Sequence, residues 1–461
     1  MTITHDHLLL ELKKITDEKR VTENETILEH HSKDESHHTP VLPETVVFPV
    51  SSEEVSAILK FANTHKIPVV PFGVGSSLEG HAIPIKGGIS IDFQFMNKVL
   101  EVRPEDFLVR VQPGVTRTEL NQALKKYGLF FPVDPGADAT IGGMAATNAS
   151  GTTSVRYGIM RNQVRDLEVV LADGNTIHTG GLSAKSSSGY HLTSLFVGSE
   201  GTLGVFTEIT LKVYGIPETI VAGRATFPSV KDAVDGAVSL LSAGIAIARV
   251  ELVDEQSIEL VNRHSKTDYP VRPTLFLEFH GNEQGVKQDI SFAQELLDAN
   301  HCEKLVFETD SLKRAKLWEA RHNLAYAVKH SFPDKKMMIT DVCLPISKLT
   351  DAIVYARHVI EESGLNGSAI GHVGDGNFHA NLMFDKNDPE EVKKAYDINQ
   401  KIVEFALERG GTCTGEHGIG IGKIKYLNKE HADTVPLMQM IKNQFDPNNI
   451  LNPGKVLPEK L

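Results

Sequence analysis

A run of small residues between positions 135 and 158 constrains the fold of this chain more than any other feature. The segment reads PGADATIGGMAATNASGTTSVRYG, and glycine, alanine, serine and threonine make up most of it. Such a run offers little apolar side chain to bury, so it forms neither an ordinary helix nor the core of a strand. It predicts backbone that is wrapped against a large, flat ligand.

Two further glycine-rich segments accompany this run. PFGVGSSLEGH at residues 71–81 follows a strand-like stretch, and VGSEGTLGVFTEITLKV at residues 197–213 leads into another strand. Glycine and serine after a strand let backbone N–H groups approach a phosphate closely. The first loop has neither the G-x-G-x-x-G that opens a Rossmann helix nor the G-K-[ST] of a P-loop, which argues against an NAD site of the Rossmann type.

The composition narrows the class of protein. A chain of 461 residues predicts two or three domains with substantial cores. The formal charge of −13 argues against nucleic acid as a partner. No apolar run approaches the roughly 18–20 residues of a membrane-spanning helix. Because we find no signal-peptide pattern and only three cysteines, without a C-x-x-C pair, we expect a cytoplasmic protein, free or peripheral at a membrane.

Periodicity in the first half predicts a mixed α+β domain. Ser51 and Glu54 have the spacing of a capping box, and the apolar residues that follow lie on one helical stripe. Further patterns predict a helix over 118–127, strands over 68–72, 89–93 and 108–111, and a hairpin over 167–179. Two histidine pairs, His30–His31 and His37–His38, favour a solvated loop over a metal site.

After Pro217 the pattern changes to strands that alternate with helices. The expected strands lie at 220–227, 248–252 and 274–279, and the expected helices at 229–243, 254–263 and 284–299. This spacing predicts a ferredoxin-like α+β sheet. We therefore divide the chain into an N-terminal lead-in (1–45), a first domain (46–217), a second domain (218–420) and a C-terminal segment (421–461) that returns to the first domain.

The segment GHVGDGNFHANL, residues 371–382, is the most informative part of the second half. Asp375-Gly376 is a signal for a two-residue hairpin turn, which would place His372 directly opposite His379 with Cβ atoms about 4.5–5.5 Å apart. A longer loop would break this pairing yet leave both rings on one side. Two imidazoles at that spacing suit one metal ion with Glu416 as a third ligand, and the alternative is a pair of buried structural histidines.

The three glycine segments, in this order and at these separations, resemble the FAD-binding domain of the vanillyl-alcohol oxidase and p-cresol methylhydroxylase superfamily. The resemblance implies non-covalent FAD, because His81 lies away from the position at which some relatives attach flavin. It implies that the pyrophosphate lies on Gly73, Val74, Gly75, Ser76 and Ser77. The flavin and adenosine are expected along Pro135, Asp138, Thr140, Gly142, Gly143, Thr147, Gly151 and Ser154, with Glu200 and Gly204 nearby.

The second half resembles the branch of that superfamily that contains D-lactate and D-2-hydroxyglutarate dehydrogenases and the flavin subunit of glycolate oxidase. By this resemblance His372, His379 and Glu416 hold a divalent metal, Zn²⁺ or Mn²⁺, and His417 is the general base. Arg321 would bind the substrate carboxylate, and Asn381, on the same strand face as His379, would contact substrate. A metal lowers the pKa of the hydroxyl, an imidazole accepts its proton, and hydride passes from C2 to flavin N5.

The implied substrate is a small D-2-hydroxy acid, with D-lactate favoured over glycolate. Relatives that act on 2-hydroxyglutarate carry a lysine for the distal carboxylate where we place Ile339, although Lys335 and Lys336 lie close by. Without a cation, a second carboxylate would be buried unpaired, which is costly. The expected electron acceptor is a quinone, a cytochrome or a partner electron-transfer subunit. A flavin-holding accessory subunit without its own chemistry and a flavin-free metal hydrolase are the competing interpretations, and neither accounts for both the glycine segments and the metal cluster.

Overall fold

The computed structural model describes residues 3–458. The chain divides into two units. Unit 1 comprises the residues up to Ser150, Gly158–Ile216 and the residues from Glu416 onward, and unit 2 comprises Gly151–Tyr157 and Pro217–Gly415. Among the described residues, no helix combines the length and the apolar character needed to cross a bilayer.

Helices of both units alternate with the strands along the chain. In chain order they are α1 (His5–Ile15), α2 (Glu25–His30), α3 (Ser52–His65), α4 (Arg117–Lys125), α5 (Ile141–Thr147), α6 (Ser154–Tyr157), α7 (Met160–Gln163), α8 (Leu192–Phe196), α9 (Val230–Ser242), α10 (Glu255–Ser265), α11 (Glu283–Ala299), α12 (Ser311–His322), α13 (Leu324–Ser331), α14 (Leu349–Ser363), α15 (Pro389–Leu407), α16 (Ile424–Glu430) and α17 (Val435–Phe445). Short 3₁₀ turns occur at Glu18–Arg20, Pro104–Asp106 and Ile346–Lys348.

The strands belong to separate sheets in the two units. Unit 1 contains β1 (Val21–Thr22), β2 (Thr45–Val47), β3 (Val69–Phe72), β4 (Ile89–Asp92), β5 (Val99–Arg103), β6 (Leu108–Val111), β7 (Leu129–Phe130), β8 (Val164–Val170), β9 (Thr176–His178), β10 (Val205–Lys212) and β11 (Tyr214–Gly215). Unit 2 contains β12 (Thr219–Thr226), β13 (Ile247–Val253), β14 (Thr274–Gly281), β15 (Lys304–Glu308), β16 (Lys336–Ile339), β17 (Val342–Cys343), β18 (Asn366–Gly371) and β19 (Asn377–Phe384).

Unit 1 is built on two main sheets. The first has the order β1-β2-β4-β3, with β4 parallel to both of its neighbours, and the second is the antiparallel sheet β5-β6-β10-β8-β9. The C-terminal segment extends the first sheet, because the Val69 N–H donates to the carbonyl of Ile450 at 2.7 Å and the Asn452 N–H donates to the carbonyl of Val69 at 2.8 Å. The C-terminal segment thus joins unit 1 at β3, the strand directly before the first glycine loop.

Helix α3 shows how local sequence sets these elements. The Ser51 side chain caps the helix by accepting the Glu54 N–H at 3.3 Å, as predicted. The predicted stripe of Val55, Ile58, Leu59 and Ala62 is buried in the core of unit 1. The Glu54 carboxylate accepts the Val50 N–H and bonds Arg20 instead of returning to Ser51. The other helix and strands predicted for this half, and the hairpin at 167–179, are confirmed to within a few residues.

One expectation for the N-terminal region is wrong. His31 does not lie in a solvated loop, because its side chain is buried next to α2. Its Nε2 bonds the Asp92 carboxylate at 2.9 Å, and its Nδ1 lies 2.8 Å from the carbonyl of Ile27. His31 thus packs in the interior, where it bonds a carboxylate at the end of β4. The sequence did not indicate this, because Asp92 is 61 positions away.

Unit 2 contains one large antiparallel sheet with the order β15-β12-β14-β13-β18-β19-β16, and β17 also pairs with β19. Its first four strands, with α9 and α11 between them, have the strand order of a ferredoxin-like fold, and α10 is added between β13 and β14. The predicted ferredoxin-like arrangement is therefore confirmed. The sheet continues past β13, because Leu252 pairs with Gly371, and this extension carries the two candidate metal-binding histidines.

Candidate active site

The first glycine loop, residues 73–77, follows β3 and carries a row of unpaired backbone donors. Within residues 3–458, no protein acceptor receives the N–H groups of this loop. Gly75 has a φ of +68°, a conformation that residues with a side chain rarely adopt. Successive unpaired N–H groups in a glycine loop are a common arrangement for binding anions, so the loop fits the pyrophosphate of FAD.

The small-residue segment packs its backbone closely against this loop. Thr140 caps α5 by accepting the Gly143 N–H at 3.4 Å. A Cβ atom on Gly73 would lie 2.4 Å from Oγ1 of Thr140, and one on Gly142 would lie 2.6 Å from Cβ of Pro113. At Gly136, by contrast, an added Cβ would meet no atom within 4 Å. Gly73 and Gly142 are thus needed because their backbone lies too close to neighbouring atoms for a side chain. Gly136 instead leaves its backbone next to open space.

Several predicted cofactor residues have defined partners of their own. The Asp138 carboxylate accepts the Thr118 N–H at 3.0 Å, and the Thr147 hydroxyl donates to the carbonyl of Gly143 at 3.2 Å. Gly204 lies where a Cβ would meet Val169 at 2.4 Å. Pro135 is half-buried, and Gly151 and Ser154 belong to the short segment of unit 2. A contact between these residues and FAD stays a prediction.

His81 and Glu200 form a buried pair in unit 1. Nε2 of His81 lies 3.1 Å from Oε2 of Glu200, and this carboxylate also accepts the N–H groups of Ile419 and Gly420 at 2.7 and 2.8 Å. Burial disfavours the charged imidazole, but Glu200 outweighs burial and raises the pKa of His81. An imidazole engaged by a buried carboxylate is less available as a nucleophile, which favours FAD that is not attached through His81.

The hairpin between β18 and β19 differs from its predicted register. Ile370 pairs with His379, so the direct pairing of His372 with His379 is wrong. The loop is longer than two residues, because the N–H groups of Asp375 and Asn377 both donate to the carbonyl of His372. The register differs by two residues, and a shift of two keeps both side chains on the same face. The two rings still meet, with centroids 5.5 Å apart and planes at 86°.

Each of these imidazoles has an oxygen acceptor at Nδ1. Nδ1 of His372 lies 2.8 Å from Oε1 of Glu251, and Nδ1 of His379 lies 3.3 Å from the carbonyl of Thr340 and 3.5 Å from Asp341. A proton on Nδ1 leaves the lone pair on Nε2, and metal-binding histidines commonly have such an acceptor behind them. The pair therefore has the chemistry that a divalent metal requires.

Sequence reasoning missed both carboxylates, Glu251 and Asp341. Each is fully buried, and each lies in or beside a strand among apolar residues. Asp341 accepts hydrogen bonds from Asn377, Thr414 and the Gly415 N–H at 2.7, 2.6 and 2.8 Å. A charged residue is rarely buried in an apolar strand without a partner. A carboxylate within such a strand could therefore have indicated a buried polar site.

Arg321 and Asn381 both present buried polar atoms in unit 2. Nη2 of Arg321 donates to Oε2 of Glu251 at 2.6 Å, whereas its Nε has no acceptor among the described residues. The amide nitrogen of Asn381 lies 3.3 Å from Oγ of Ser368, and its Oδ1 has no donor within that part of the chain. Unpaired buried groups are costly, and a polar ligand would satisfy them.

The remaining two predicted residues, Glu416 and His417, open the returning segment of unit 1. Oγ of Ser150 donates to the Glu416 carboxylate at 2.5 Å. Glu416 follows Gly415 directly, and Gly415 is the residue whose N–H is held by Asp341. His372, His379, Arg321 and Asn381 thus all lie within unit 2. Glu416 and His417 are assigned to unit 1 and directly follow Gly415, the last residue of unit 2.

Two families match the chain. Residues 43–180 match the FAD binding domain family, and residues 216–456 match the family described as FAD linked oxidases, C-terminal domain. The two matches together span most of the chain.

Named relatives are similar over nearly the whole length. The chain is 44% identical to a probable mitochondrial D-lactate dehydrogenase of Danio rerio, over 99% of this chain and 93% of that protein. It is 42% identical to a mitochondrial D-lactate dehydrogenase [cytochrome] of Arabidopsis thaliana, over 98% and 80%. It is 33% identical to the glycolate oxidase subunit GlcD of Bacillus subtilis, over 90% and 89%.

The fold is similar to that of solved flavoenzymes. A structure of p-cresol methylhydroxylase with substrate bound matches with a TM-score of 0.79 at 19% identity, over 98% of this chain and 96% of that chain. At this identity the likeness concerns the fold alone. It confirms the α+β architecture of the p-cresol methylhydroxylase type that the glycine segments indicated.

Proposed function

The chain belongs to the family of FAD-linked oxidases, and on that premise we propose that it oxidises D-lactate to pyruvate with the help of a divalent metal. The observation that carries this proposal is the pair His372 and His379 in unit 2, each with an acceptor behind Nδ1. The proposal is further supported by relatives of 42–44% identity that are named D-lactate dehydrogenases.

The cofactor is FAD held by unit 1 without a covalent bond. The unpaired N–H groups of residues 73–77 bind its pyrophosphate, and the small residues after Pro135 leave room for its rings. Bound FAD supplies the acceptor for the hydride that leaves C2 of the substrate. The protein supplies orientation and keeps His81 engaged with Glu200, away from flavin chemistry.

The metal is Zn²⁺ or Mn²⁺, with His372, His379 and Glu416 as its ligands. Two imidazoles and a carboxylate are a common ligand set for both ions and do not choose between them. The bound ion supplies a Lewis acid that lowers the pKa of the substrate hydroxyl. An oxygen faces Nδ1 of each imidazole, so Nε2 is the nitrogen that would bind the ion.

The other site residues bind substrate and move the proton. Arg321 donates from its buried, unpaired Nε to the substrate carboxylate, and Asn381 contacts the substrate from the face it shares with His379. His417 accepts the hydroxyl proton as the general base. Loss of this proton makes C2 a better hydride donor.

The substrate carries one carboxylate. Ile339, where a cation for a second carboxylate would be expected, is apolar and pairs with Asn381 in the sheet. Nζ of the nearby Lys335 is engaged by the Glu391 carboxylate at 3.0 Å. Lys336 is exposed, so neither lysine is placed to pair with a second buried carboxylate, and D-lactate is favoured over a diacid. Glycolate carries the same charge, and we rank it second because GlcD is less similar than the D-lactate dehydrogenases.

The electrons leave to an acceptor other than NAD. A cytochrome fits the names of the relatives, and a quinone or a partner electron-transfer subunit remains an alternative. The D-lactate dehydrogenases of Danio rerio and Arabidopsis thaliana are named mitochondrial, and a cytoplasmic position of this chain, free or peripheral at a membrane, stays a prediction from the sequence.

Anaerobic mixing with a panel of hydroxy acids tests this function. D-lactate should bleach the visible flavin absorbance within one turnover, L-lactate should not, and glycolate should react more slowly. Removing the metal with a chelator should stop the bleaching without releasing FAD, and Zn²⁺ or Mn²⁺ should restore it. Faster bleaching by glycolate would contradict D-lactate as the substrate, and a colourless protein would contradict the cofactor.

A further inference from the structure

Glu251 is a carboxylate inside a fully buried part of β13. Its side chain is 0% exposed, and the adjacent strand residues Val250 and Leu252 are apolar and buried. An isolated charged carboxylate in such a place would be strongly disfavoured, so it persists only with strong partners. The identity of these partners shows what the residue does.

Both partners of Glu251 are residues of the proposed site. Its Oε2 accepts the Arg321 guanidinium at 2.6 Å, and its two oxygens lie 2.8 and 2.9 Å from Nδ1 of His372. One carboxylate thus bonds the arginine proposed to bind substrate and the histidine proposed to bind metal. These residues come from β13, α12 and the hairpin loop after β18, so the contact joins three remote elements.

We propose that Glu251 is a positioning residue that fixes the tautomer of His372 and the orientation of Arg321 together. This inference rests on the proposed function, in which His372 binds the metal and Arg321 binds the substrate. As an acceptor at both oxygens, the carboxylate requires N–H groups from both sides. It therefore holds the His372 proton on Nδ1 and turns Nη2 of Arg321 inward, while Nε of Arg321 is left to bind substrate.

An amide at this position cannot serve both partners equally. Glutamine has one acceptor oxygen, and its NH₂ group would face His372 alone at the position of Oε1, or both Arg321 and His372 at the position of Oε2. Facing Arg321, it would set two donors against each other. Facing His372, it would donate to Nδ1 and move the imidazole proton to Nε2, the atom that should bind the metal. Glu251→Gln therefore tests the acceptor pattern with almost no change in volume.

The same sheet offers a matched control, Glu278 on β14. This carboxylate is also buried; it bonds Nε1 of Trp318 at 2.5 Å and Nε2 of His280 at 2.8 Å, and it lies 3.4 Å from Nε of Arg249. Among the described residues, these partners include no candidate metal ligand. Glu278→Gln thus removes a comparable buried charge without touching His372 or Arg321.

The experiment compares the wild type, Glu251→Gln, Glu251→Asp and Glu278→Gln as full chains with bound FAD. Each is stripped of metal and titrated with Zn²⁺, and KM for D-lactate is measured after reloading. We expect Glu251→Gln to weaken Zn²⁺ binding by about 10–100-fold and to raise KM, as loss of such a partner commonly does. Glu251→Asp should lie between, because it keeps two acceptor oxygens on a shorter stem. Glu278→Gln should keep Zn²⁺ affinity within about threefold.

Two results would overturn the role of Glu251. One is a folded Glu251→Gln protein with unchanged Zn²⁺ affinity and KM, and the other is an equal loss in Glu251→Gln and Glu278→Gln, which would indicate general loosening. If Glu251→Gln does not fold, Glu251→Asp decides by the same two measurements. A wild type that binds no Zn²⁺ or Mn²⁺ would overturn the proposed metal site instead, and KM would then decide whether Glu251 orients Arg321.

Discussion

Buried carboxylates determine where the reactive side chains lie. Asp341, for example, bonds Thr414 and the Gly415 N–H at 2.6 and 2.8 Å, and so fixes the backbone immediately before Glu416. Each such acceptor satisfies donors that would cost about 1–3 kcal/mol if left unpaired in the interior. Asp341 therefore fixes the position of the chain next to a proposed metal ligand.

The pair of His81 and Glu200 predicts a pH dependence of stability. Glu200 raises the pKa of His81 against the effect of burial, and although burial opposes its charge, His81 lowers the pKa of Glu200. A raised histidine pKa stabilises the fold below its ordinary value of 6.5 and loses this effect as the pH rises through the folded pKa. A lowered glutamate pKa stabilises above 4.5 and loses its effect as the pH falls. The pair should therefore contribute most between these two values.

His81→Gln should consequently destabilise the protein by about 1–3 kcal/mol near pH 5.5, and by less at pH 9. Denaturant unfolding at both pH values measures the difference. His178→Gln is the control, because His178 lies 2.8 Å from Asp166 on the surface with a side chain 55% exposed, where such pairs contribute about 0–1 kcal/mol. A His81→Gln effect that is equal at both pH values would show that the pair is not ionised as described.

Helices and strands that are set by residues close together in the sequence could be predicted. The cap and stripe of α3 follow from residues within fourteen positions, and the alternating strands and helices after Pro217 predicted the ferredoxin-like order. The hairpin register was wrong because HVGDGN contains several turn formers, and composition does not say how many of them the loop uses. Glu251 was missed because its partner His372 lies 121 positions away, a contact that only the completed sheet creates.

The hairpin loop itself predicts a strict requirement for glycine at position 376. Gly376 has a φ of +88°, and a Cβ there would lie 2.3 Å from the backbone oxygen of Leu344. Gly376→Ala should therefore cost more than about 2 kcal/mol, because the strain of about 1–2 kcal/mol at positive φ adds to a clash that displaces the loop. His372 lies in the displaced segment, so Zn²⁺ affinity should fall as well.

Gly364 provides the comparison for this substitution. Its φ is +73°, but an added Cβ would meet no atom within 4 Å. Gly364→Ala should cost only the backbone strain and leave Zn²⁺ affinity unchanged. Urea unfolding and Zn²⁺ titration of both variants check this. If Gly376→Ala cost no more than Gly364→Ala, the loop would be free to move, and its geometry would not hold His372.

The proposed chemistry draws on residues of both units. Unit 1 contains two hydrophobic clusters, one around β6, β8 and β10 and one around α3 and β4. Unit 2 contains its own cluster, which includes Phe276 and Trp318. The glycine loop, the proposed ligand Glu416 and the proposed base His417 are part of unit 1, and His372, His379, Arg321 and Glu251 are part of unit 2. A local change in the glycine loop should thus leave both histidine ligands in place, and loss of one histidine should leave the FAD loop in place.

Gly75→Val and His379→Ala should separate FAD binding from metal binding. A β-branched side chain at a φ of +68°, with its Cβ 2.9 Å from the Phe72 ring, should distort the row of N–H groups. Gly75→Val should therefore purify nearly colourless yet bind Zn²⁺ normally. His379→Ala should stay yellow and lose most of its metal, because it removes one imidazole ligand. The ratio of visible flavin absorbance to protein and elemental analysis measure the two contents.

Gly128→Val is the control for backbone strain in unit 1. Its φ of +69° matches that of Gly75, but an added Cβ there would meet no atom within 4 Å, and the residue lies outside the glycine loop. This variant should keep its FAD, so colour lost only in Gly75→Val would be due to the loop itself. If either Gly75→Val or His379→Ala lost FAD and metal together, the two functions would depend on a common fold. The assignment of FAD to unit 1 and of the histidine ligands to unit 2 would then have to be abandoned.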